Sequence, residues 1–142
     1  MHSRISRSVL HTELQLQSSP ECILEVEQCL RQLFKDLSLD PVVYSNILIS
    51  LTEAVNNAVE HGNCNDRSKT VCVKLNKQQE VLRCEISDEG CGFDPSNLPD
   101  PTIDENVEKP GGRGVFLMRE LSDQIEFRDN GSTVELIFHL SQ

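Results

Sequence analysis

The sequence predicts a two-layer α/β sandwich, in which helices lie on one face of a mixed but mostly antiparallel sheet. One observation is a set of short segments in which apolar and polar residues alternate, with tight turns at 76–80 and 129–131. Strands joined by such turns pair in antiparallel fashion. A second observation is that two segments with helical apolar spacing follow each other directly after the first alternating segment. This grouping favours a sheet covered on one side over a doubly wound parallel fold.

Capping residues mark the beginnings of the two long helices. Ser19 and Asp40 each precede a proline, which is typical of a helix start. Gly62 and Asn63 are suitable stop residues for the second helix. In chain order we predict a strand at 5–16, helices at 20–37 and 41–62, strands at 70–75 and 82–88, a Pro-rich segment at 93–112, a helix at 115–121, and strands at 125–127 and 134–138.

The composition indicates one soluble domain that spans residues 1–142. Hydrophobic residues make up 37% of the chain, and no apolar run approaches the roughly 20 residues of a membrane span. The formal net charge of −10 argues against direct binding of nucleic acid, which depends on clustered Lys and Arg. The N-terminal residues lack the apolar core of a signal peptide. Because the six cysteines form no Cys-x-x-Cys pair, we expect reduced thiols in a cytoplasmic protein.

A first polar motif, Glu-Ala-Val-Asn-Asn-Ala, occupies 53–58 in the second predicted helix. Glu53 and Asn57 are four residues apart, so they share a helix face. The carbonyl oxygen of Asn57 is a ligand type that Mg²⁺ prefers, and Glu53 is placed to accept a proton from a hydroxyl that attacks a phosphate. The alternative is an ordinary solvated face, since Asn46 and Ser50 lie on it as well.

A second motif, Asp-Glu-Gly-Cys-Gly, occupies 88–92 at the end of a predicted strand. Asp88 would lie at the mouth of the core, where it could accept a hydrogen bond from an exocyclic amine and select adenine over guanine. Gly90 and Gly92 allow the backbone to approach a flat base closely. The alternative is a plain Asp-Gly turn at the end of a strand.

A third motif, Gly112-Arg113-Gly114, opens a helix directly after the Pro-rich segment. Free backbone N–H groups at a helix N-terminus suit phosphate oxygens, and Lys109 and Arg113 add cations beside them. The alternative is a glycine hinge. A segment as long as 94–111 within a compact domain is typical of a lid, a binding loop or a disordered segment.

Together the three motifs resemble the N, G1 and G2 boxes of the GHKL ATPase superfamily, whose Bergerat fold is also called the histidine-kinase-like ATPase fold. The chain is similar over nearly its whole length to the bacterial anti-sigma-factor serine/threonine kinases. This resemblance implies ATP and Mg²⁺ bound beneath a lid at 94–111. By position it implies Asn57 as Mg²⁺ ligand, Glu53 as general base, Asp88 as adenine selector, Gly90 and Gly92 beside the base, and Lys109, Gly112, Arg113 and Gly114 at the phosphates.

The resemblance also implies a function, namely an ATP-dependent protein serine/threonine kinase that acts as an anti-sigma factor or partner-switching regulator. The implied substrate is a STAS-type anti-anti-sigma protein, a sigma factor is a second partner, and the chain forms a homodimer. Two alternatives stay open. One is an ATP-sensing binding module without transfer activity, and the other is a stand-alone catalytic domain of a histidine kinase. A retained base at Glu53 favours transfer over sensing.

Overall fold

Five strands form a single sheet in the order β1-β2-β3-β5-β4 in the computed structural model, which describes residues 9–90 and 112–140. The elements are β1 (Val9–Gln17), α1 (Ile23–Leu37), α2 (Pro41–Asn57), β2 (Thr70–Gln78), β3 (Val81–Ser87), α3 (Gly112–Leu121), β4 (Gln124–Arg128) and β5 (Thr133–His139). The predicted α/β sandwich is confirmed. All pairings among these described strands are antiparallel, so the mixed character that we expected for the sheet was wrong for them.

One face of the sheet carries the core. Alternate residues of β2 and β3 are buried, and they pack in one apolar cluster with residues of α1 and α2. The opposite face is charged: Nη2 of Arg128 lies 2.6 Å from a carboxylate oxygen of Glu85, and Lys74 lies on the other side of Glu85. An antiparallel sheet with one packed and one solvated face gives the alternation seen in the sequence.

Helix α2 begins at the predicted cap and ends in an unusual turn. The carboxylate of Asp40 accepts hydrogen bonds from the N–H groups of Val42 and Val43, at 2.8 and 3.3 Å. The helix predicted at 41–62 is continuous, but its last turn, Ala58–Gly62, is a π-helix. There the N–H of Asn63 donates to the carbonyl of Ala58, five residues earlier, at 2.8 Å. Such wide turns are rare and occur frequently at functional sites.

The hairpin predicted between β2 and β3 is present, but the loop predicted at 76–80 is shorter than expected. Strand β2 continues to Gln78, which pairs with Val81. The turn contains only Gln79 and Glu80, and Gln79 adopts a positive φ of 56°. Positions 76 and 78 lie on the exposed face of the sheet, so polar residues there continue the strand alternation. The predicted turn at 129–131 is confirmed.

The other strand boundaries agree with prediction within a few residues. Strand β1 extends one residue further than predicted, to Gln17, whereas positions 5–8 lie outside the described residues. Helix α3 begins at Gly112 rather than 115. Within the described ranges, no helix has both the length and the apolar character needed to cross a membrane.

Candidate functional site

Glu53 and Asn57 lie against the beginning of α3. A methyl group built on Gly114 would be 2.9 Å from Oε2 of Glu53 and 3.2 Å from Nδ2 of Asn57. Neither side chain is fully exposed. The polar face of α2 is therefore covered by α3 at these two residues, and it is not an ordinary solvated face. The first and third sequence motifs meet at this point.

Two polar side-chain atoms of α2 have no hydrogen-bond partner among the residues that the structure describes. They are Nδ2 of Asn57 and Oγ of Ser50, which belongs to a fully buried side chain. Buried polar groups in folded proteins are nearly always paired with protein or water. An unpaired amide beside a carboxylate is consistent with a ligand or ordered water at this position.

Asp88 directly follows β3, at the first of three consecutive backbone N–H groups that are all hydrogen-bonded. The N–H of Asp88 donates to the carbonyl of Ser132 at 2.9 Å. The N–H of Glu89 donates to Oδ1 of Asn63 at 2.8 Å, and that of Gly90 donates to Oδ1 of Asp88 at 2.9 Å. The turn that follows β3 is therefore attached both to β5 and to the end of α2.

Two glycines allow the close packing around the Asp88 side chain. A methyl group built on Gly62 would overlap the carboxylate of Asp88, and one built on Gly90 would overlap the carbonyl oxygen of Gly62. Burial raises the pKa of Asp88, while the Gly90 N–H and the charge of Lys69 act in the opposite direction. A donor from a ligand, such as an amine, would compensate part of the desolvation of this carboxylate.

A narrow cleft connects Asn57 with Asp88. It is lined by Ala54, Asn57 and Ala58 of α2, Ile86 and Asp88 at β3, Met118 of α3, Phe127 of β4, and Gly131, Ser132 and Val134 around the start of β5. Its free volume is about 10 Å³, which is room for about one water molecule. This volume is smaller than that of a purine base.

Two further predicted site residues belong to the beginning of α3. Gly112 is the first residue of this helix and Arg113 the second, although the side chain of Arg113 is outside what the structure describes. Gly92, Lys109 and the predicted lid at 94–111 also lie outside the described residues. Their roles stay predictions.

A protein-family model described as "Histidine kinase-like ATPase domain" matches residues 16–138. The chain belongs to this family. The match begins near the end of β1 and ends within β5, so it includes all three helices and strands β2 to β4 in full. The GHKL resemblance drawn from the three motifs is thereby confirmed.

Curated relatives of this histidine kinase-like ATPase domain carry the name serine-protein kinase RsbW. The protein from Bacillus velezensis is 26% identical over 146 aligned positions, which cover 96% of this chain and 90% of the relative. The protein from Staphylococcus epidermidis is 28% identical over 144 positions, with 93% and 88% covered. That from Bacillus subtilis is 24% identical over 140 positions, with 92% and 86% covered.

A solved structure supports the fold assignment. The crystal structure of the RsbU and RsbW domains of Rv1364c from Mycobacterium tuberculosis superposes with a TM-score of 0.68 at 17% identity, covering 94% of this chain. The chain spans only about a third (32%) of the length of that protein. At this identity the likeness shows the histidine kinase-like ATPase fold alone.

Sequence reasoning missed the burial of two polar residues. A solvated face was one alternative for Ser50, yet Ser50 is fully buried. Asn63 was expected only to stop a helix, yet it is fully buried and bonded to the Asp88 turn. In the sequence, only the position of Asn63 directly after Gly62 marks this residue. The contact of its side chain depends on the π-turn, which the sequence did not predict.

Proposed function

We propose that the chain is an ATP-dependent protein serine/threonine kinase that acts as an anti-sigma factor or partner-switching regulator. The observation that carries this proposal is the contact of Glu53 and Asn57 with the beginning of α3 at Gly114. A carboxylate and an amide with an unpaired buried atom are thereby held beside a helix N-terminus, which is the arrangement that phosphoryl transfer needs. Relatives named serine-protein kinases match over most of this chain and most of their own length.

The residues present suit ATP and Mg²⁺. In the proposal, Asn57 holds Mg²⁺ through its side-chain oxygen, and the metal supplies charge that offsets the phosphates. Asp88 accepts a hydrogen bond from the exocyclic amine of adenine. Backbone N–H groups from Gly112 to Gly114 bind phosphate oxygens. Gly92 beside the base, and Lys109 and Arg113 at the phosphates, retain the roles that the sequence predicted.

Glu53 is the proposed general base. Its carboxylate accepts the proton of a serine or threonine hydroxyl as that oxygen forms a bond to the terminal phosphorus of ATP. The bond between this phosphorus and the bridging oxygen breaks, and ADP leaves with the electron pair. In the proposal, the lid predicted at 94–111 excludes water from the transfer step.

The proposed partners follow from the relatives and the resemblance. The hydroxyl belongs to a STAS-type anti-anti-sigma protein, and a sigma factor is the second partner of a cytoplasmic homodimer formed by the single domain 1–142. A chain with a formal net charge of −10 would not bind DNA directly. Regulation of transcription would therefore act through these protein partners.

Binding and transfer should be measured separately in one set of variants. We expect native protein to bind ATP in preference to GTP, more tightly with Mg²⁺, and to phosphorylate a STAS-type substrate on serine or threonine. Asp88→Asn should lose binding, because the amide presents the wrong group to the adenine amine. Glu53→Gln should bind ATP within about threefold of native but lose at least about 1,000-fold in transfer rate. Calorimetry and a radiolabelled transfer assay would give these quantities.

Each other result would point to a different function. Selective ATP binding without transfer to any STAS-type protein, together with partner capture by Glu53→Gln, would indicate an ATP-sensing module. An acid-labile phosphoryl product would indicate histidine phosphorylation. Absence of nucleotide binding at millimolar ATP would refute the proposal as a whole.

A further inference from the structure

We infer that Asn63 is a positioning residue, which holds the Asp88 turn in the orientation that selects the base. This inference deepens the proposed function and depends on it for the role of Asp88. No sequence motif assigned a function to Asn63 beyond ending the helix. Its side chain is nevertheless fully buried at the junction of α2, β2 and β3.

Both polar atoms of the Asn63 side-chain amide form hydrogen bonds. Its Oδ1 accepts the N–H of Glu89 at 2.8 Å, and its Nδ2 donates to the carbonyl of Thr70 at 3.1 Å. Since a backbone N–H only donates and a carbonyl only accepts, these two partners define the orientation of the amide. The carboxylate of Glu89 in turn accepts the N–H of Thr70. Three residues thus form a closed ring of hydrogen bonds.

The π-turn determines where Asn63 lies. Its N–H bonds to the carbonyl of Ala58, so the backbone makes one wide turn directly after Asn57. This turn places Gly62 against the Asp88 carboxylate and places Asn63 against Glu89. The helix that carries Glu53 and Asn57 is therefore connected to the turn that carries Asp88 by two consecutive residues.

Loss of this amide should disturb the base end of the site more than the phosphate end. Without Asn63, the N–H of Glu89 loses its acceptor. Among the described residues, the Asp88 turn then keeps the bond to Ser132, its own internal bond and the bond between the Glu89 carboxylate and Thr70. The contact of Glu53 and Asn57 with Gly114 lies on α3 and does not involve Asn63. A positioning role therefore predicts a change in base selectivity, which a uniform loss of folded protein would not produce.

Asn63→Ala is the test variant, and Asn76→Ala is the matched control, because Asn76 is an exposed asparagine on β2 whose side chain pairs with His11. We expect Asn63→Ala to weaken ATP binding about tenfold, as for loss of one buried hydrogen bond. The ratio of ATP to GTP affinity should fall by a similar factor, while the transfer rate at saturating ATP stays within about twofold. The control should match native protein in all three quantities.

Amide hydrogen exchange tests the same inference without nucleotide. In native protein the Glu89 amide should exchange at least about tenfold more slowly than an unstructured amide, and Asn63→Ala should remove this protection. The inference is overturned if the native Glu89 amide is unprotected, or if folded Asn63→Ala keeps the native ATP-to-GTP ratio. If native protein binds no ATP, the proposed function and the selective role of Asn63 both fail. Exchange at Glu89 then decides only whether Asn63 holds the turn.

Discussion

Asp88 shows how two requirements on one side chain oppose each other. The carboxylate is half-buried and accepts a backbone hydrogen bond from Gly90, and burial raises its pKa. Its proposed role in selecting adenine requires the carboxylate to remain available to a ligand. Functional side chains of this kind commonly reduce the stability of the free protein.

The destabilisation caused by the buried Asp88 carboxylate should appear in the pH dependence of the free energy of unfolding. The pKa of Asp88 is higher in the folded protein than in the unfolded chain. Protonation of Asp88 therefore stabilises the fold. This stabilisation is complete below the pKa of the unfolded chain and is lost as pH rises through the pKa of the folded protein. Asn keeps the acceptor for Gly90 without the charge. We therefore expect Asp88→Asn, without nucleotide, to be at least as stable as native protein at pH 7 and to lose that advantage below about pH 4. Urea unfolding at several pH values would measure this difference.

Asp66 provides a control, because its pKa is shifted in the opposite direction to that of Asp88. It is exposed, and hydrogen bonds from Ser68 lower its pKa. Its contribution to stability is therefore present above the unfolded pKa and is lost as pH falls through the folded pKa. Asp66→Asn should be slightly less stable than native protein at pH 7 and equal to it in acid. The explanation fails if both variants show the same pH trend.

The sequence predicts some site residues and misses others for a physical reason. Glu53 and Asn57 follow from the four-residue spacing of a helix face, and Asp88 follows from its place at the end of an alternating strand. Asn63 has no such local signal. Its role depends on a carbonyl at Thr70 and an N–H at Glu89, and these partners are brought together only by the folded sheet.

At the level of elements, the contact between α2 and α3 determines the geometry at Glu53. The two helices approach closely at Gly114, where a side chain would have to displace the carboxylate of Glu53. The sequence identified the glycine as part of a motif that opens a helix and contacts phosphate. The structure adds that Gly114 lies within a helix and allows that helix to pack on α2.

Gly114→Ala should reduce the rate of phosphoryl transfer without lowering the free energy of unfolding. The added methyl group meets mainly the flexible end of Glu53, while alanine favours the helix by up to about 1 kcal/mol, so the free energy of unfolding should stay equal or increase. Displacement of the carboxylate should nevertheless reduce the transfer rate at least about tenfold. Thermal unfolding and the transfer assay would be compared with Glu120→Ala, an exposed substitution on the same helix that should change neither. Native transfer by Gly114→Ala would show that the close approach is unimportant.

For the whole molecule, the alternating strands predicted the antiparallel sheet with one buried face, but not the full order of its strands. Strand β5 lies between β3 and β4, so the last strand of the chain occupies an interior position. Local patterns could not predict this, because the pairing of β5 with β3 joins residues about 50 apart in sequence. That pairing places Ser132 beside Asp88, and so it completes the base end of the site.

Cys84 offers a measurement of how this site is coupled to global stability. It lies in β3 between Leu75 and Leu136, it is fully buried, and burial raises the pKa of its thiol. Alkylation requires an accessible thiolate, so Cys84 should react only when the sheet opens. A ligand that binds only the folded state at 100 times its Kd stabilises that state by about 2.7 kcal/mol, equivalent to about 100-fold in the population that is open.

We therefore expect ATP with Mg²⁺ at that concentration to slow the alkylation of Cys84 about 100-fold, measured by mass spectrometry of its peptide. Cys64 is exposed and should react at the same rate with and without nucleotide. In Asp88→Asn the nucleotide should give Cys84 no added protection at the same ATP concentration. Protection of Cys84 in both proteins would show that ATP binds without Asp88. Unchanged labelling of Cys84 in native protein that binds ATP would show that the sheet opens locally at β3 while the site stays occupied.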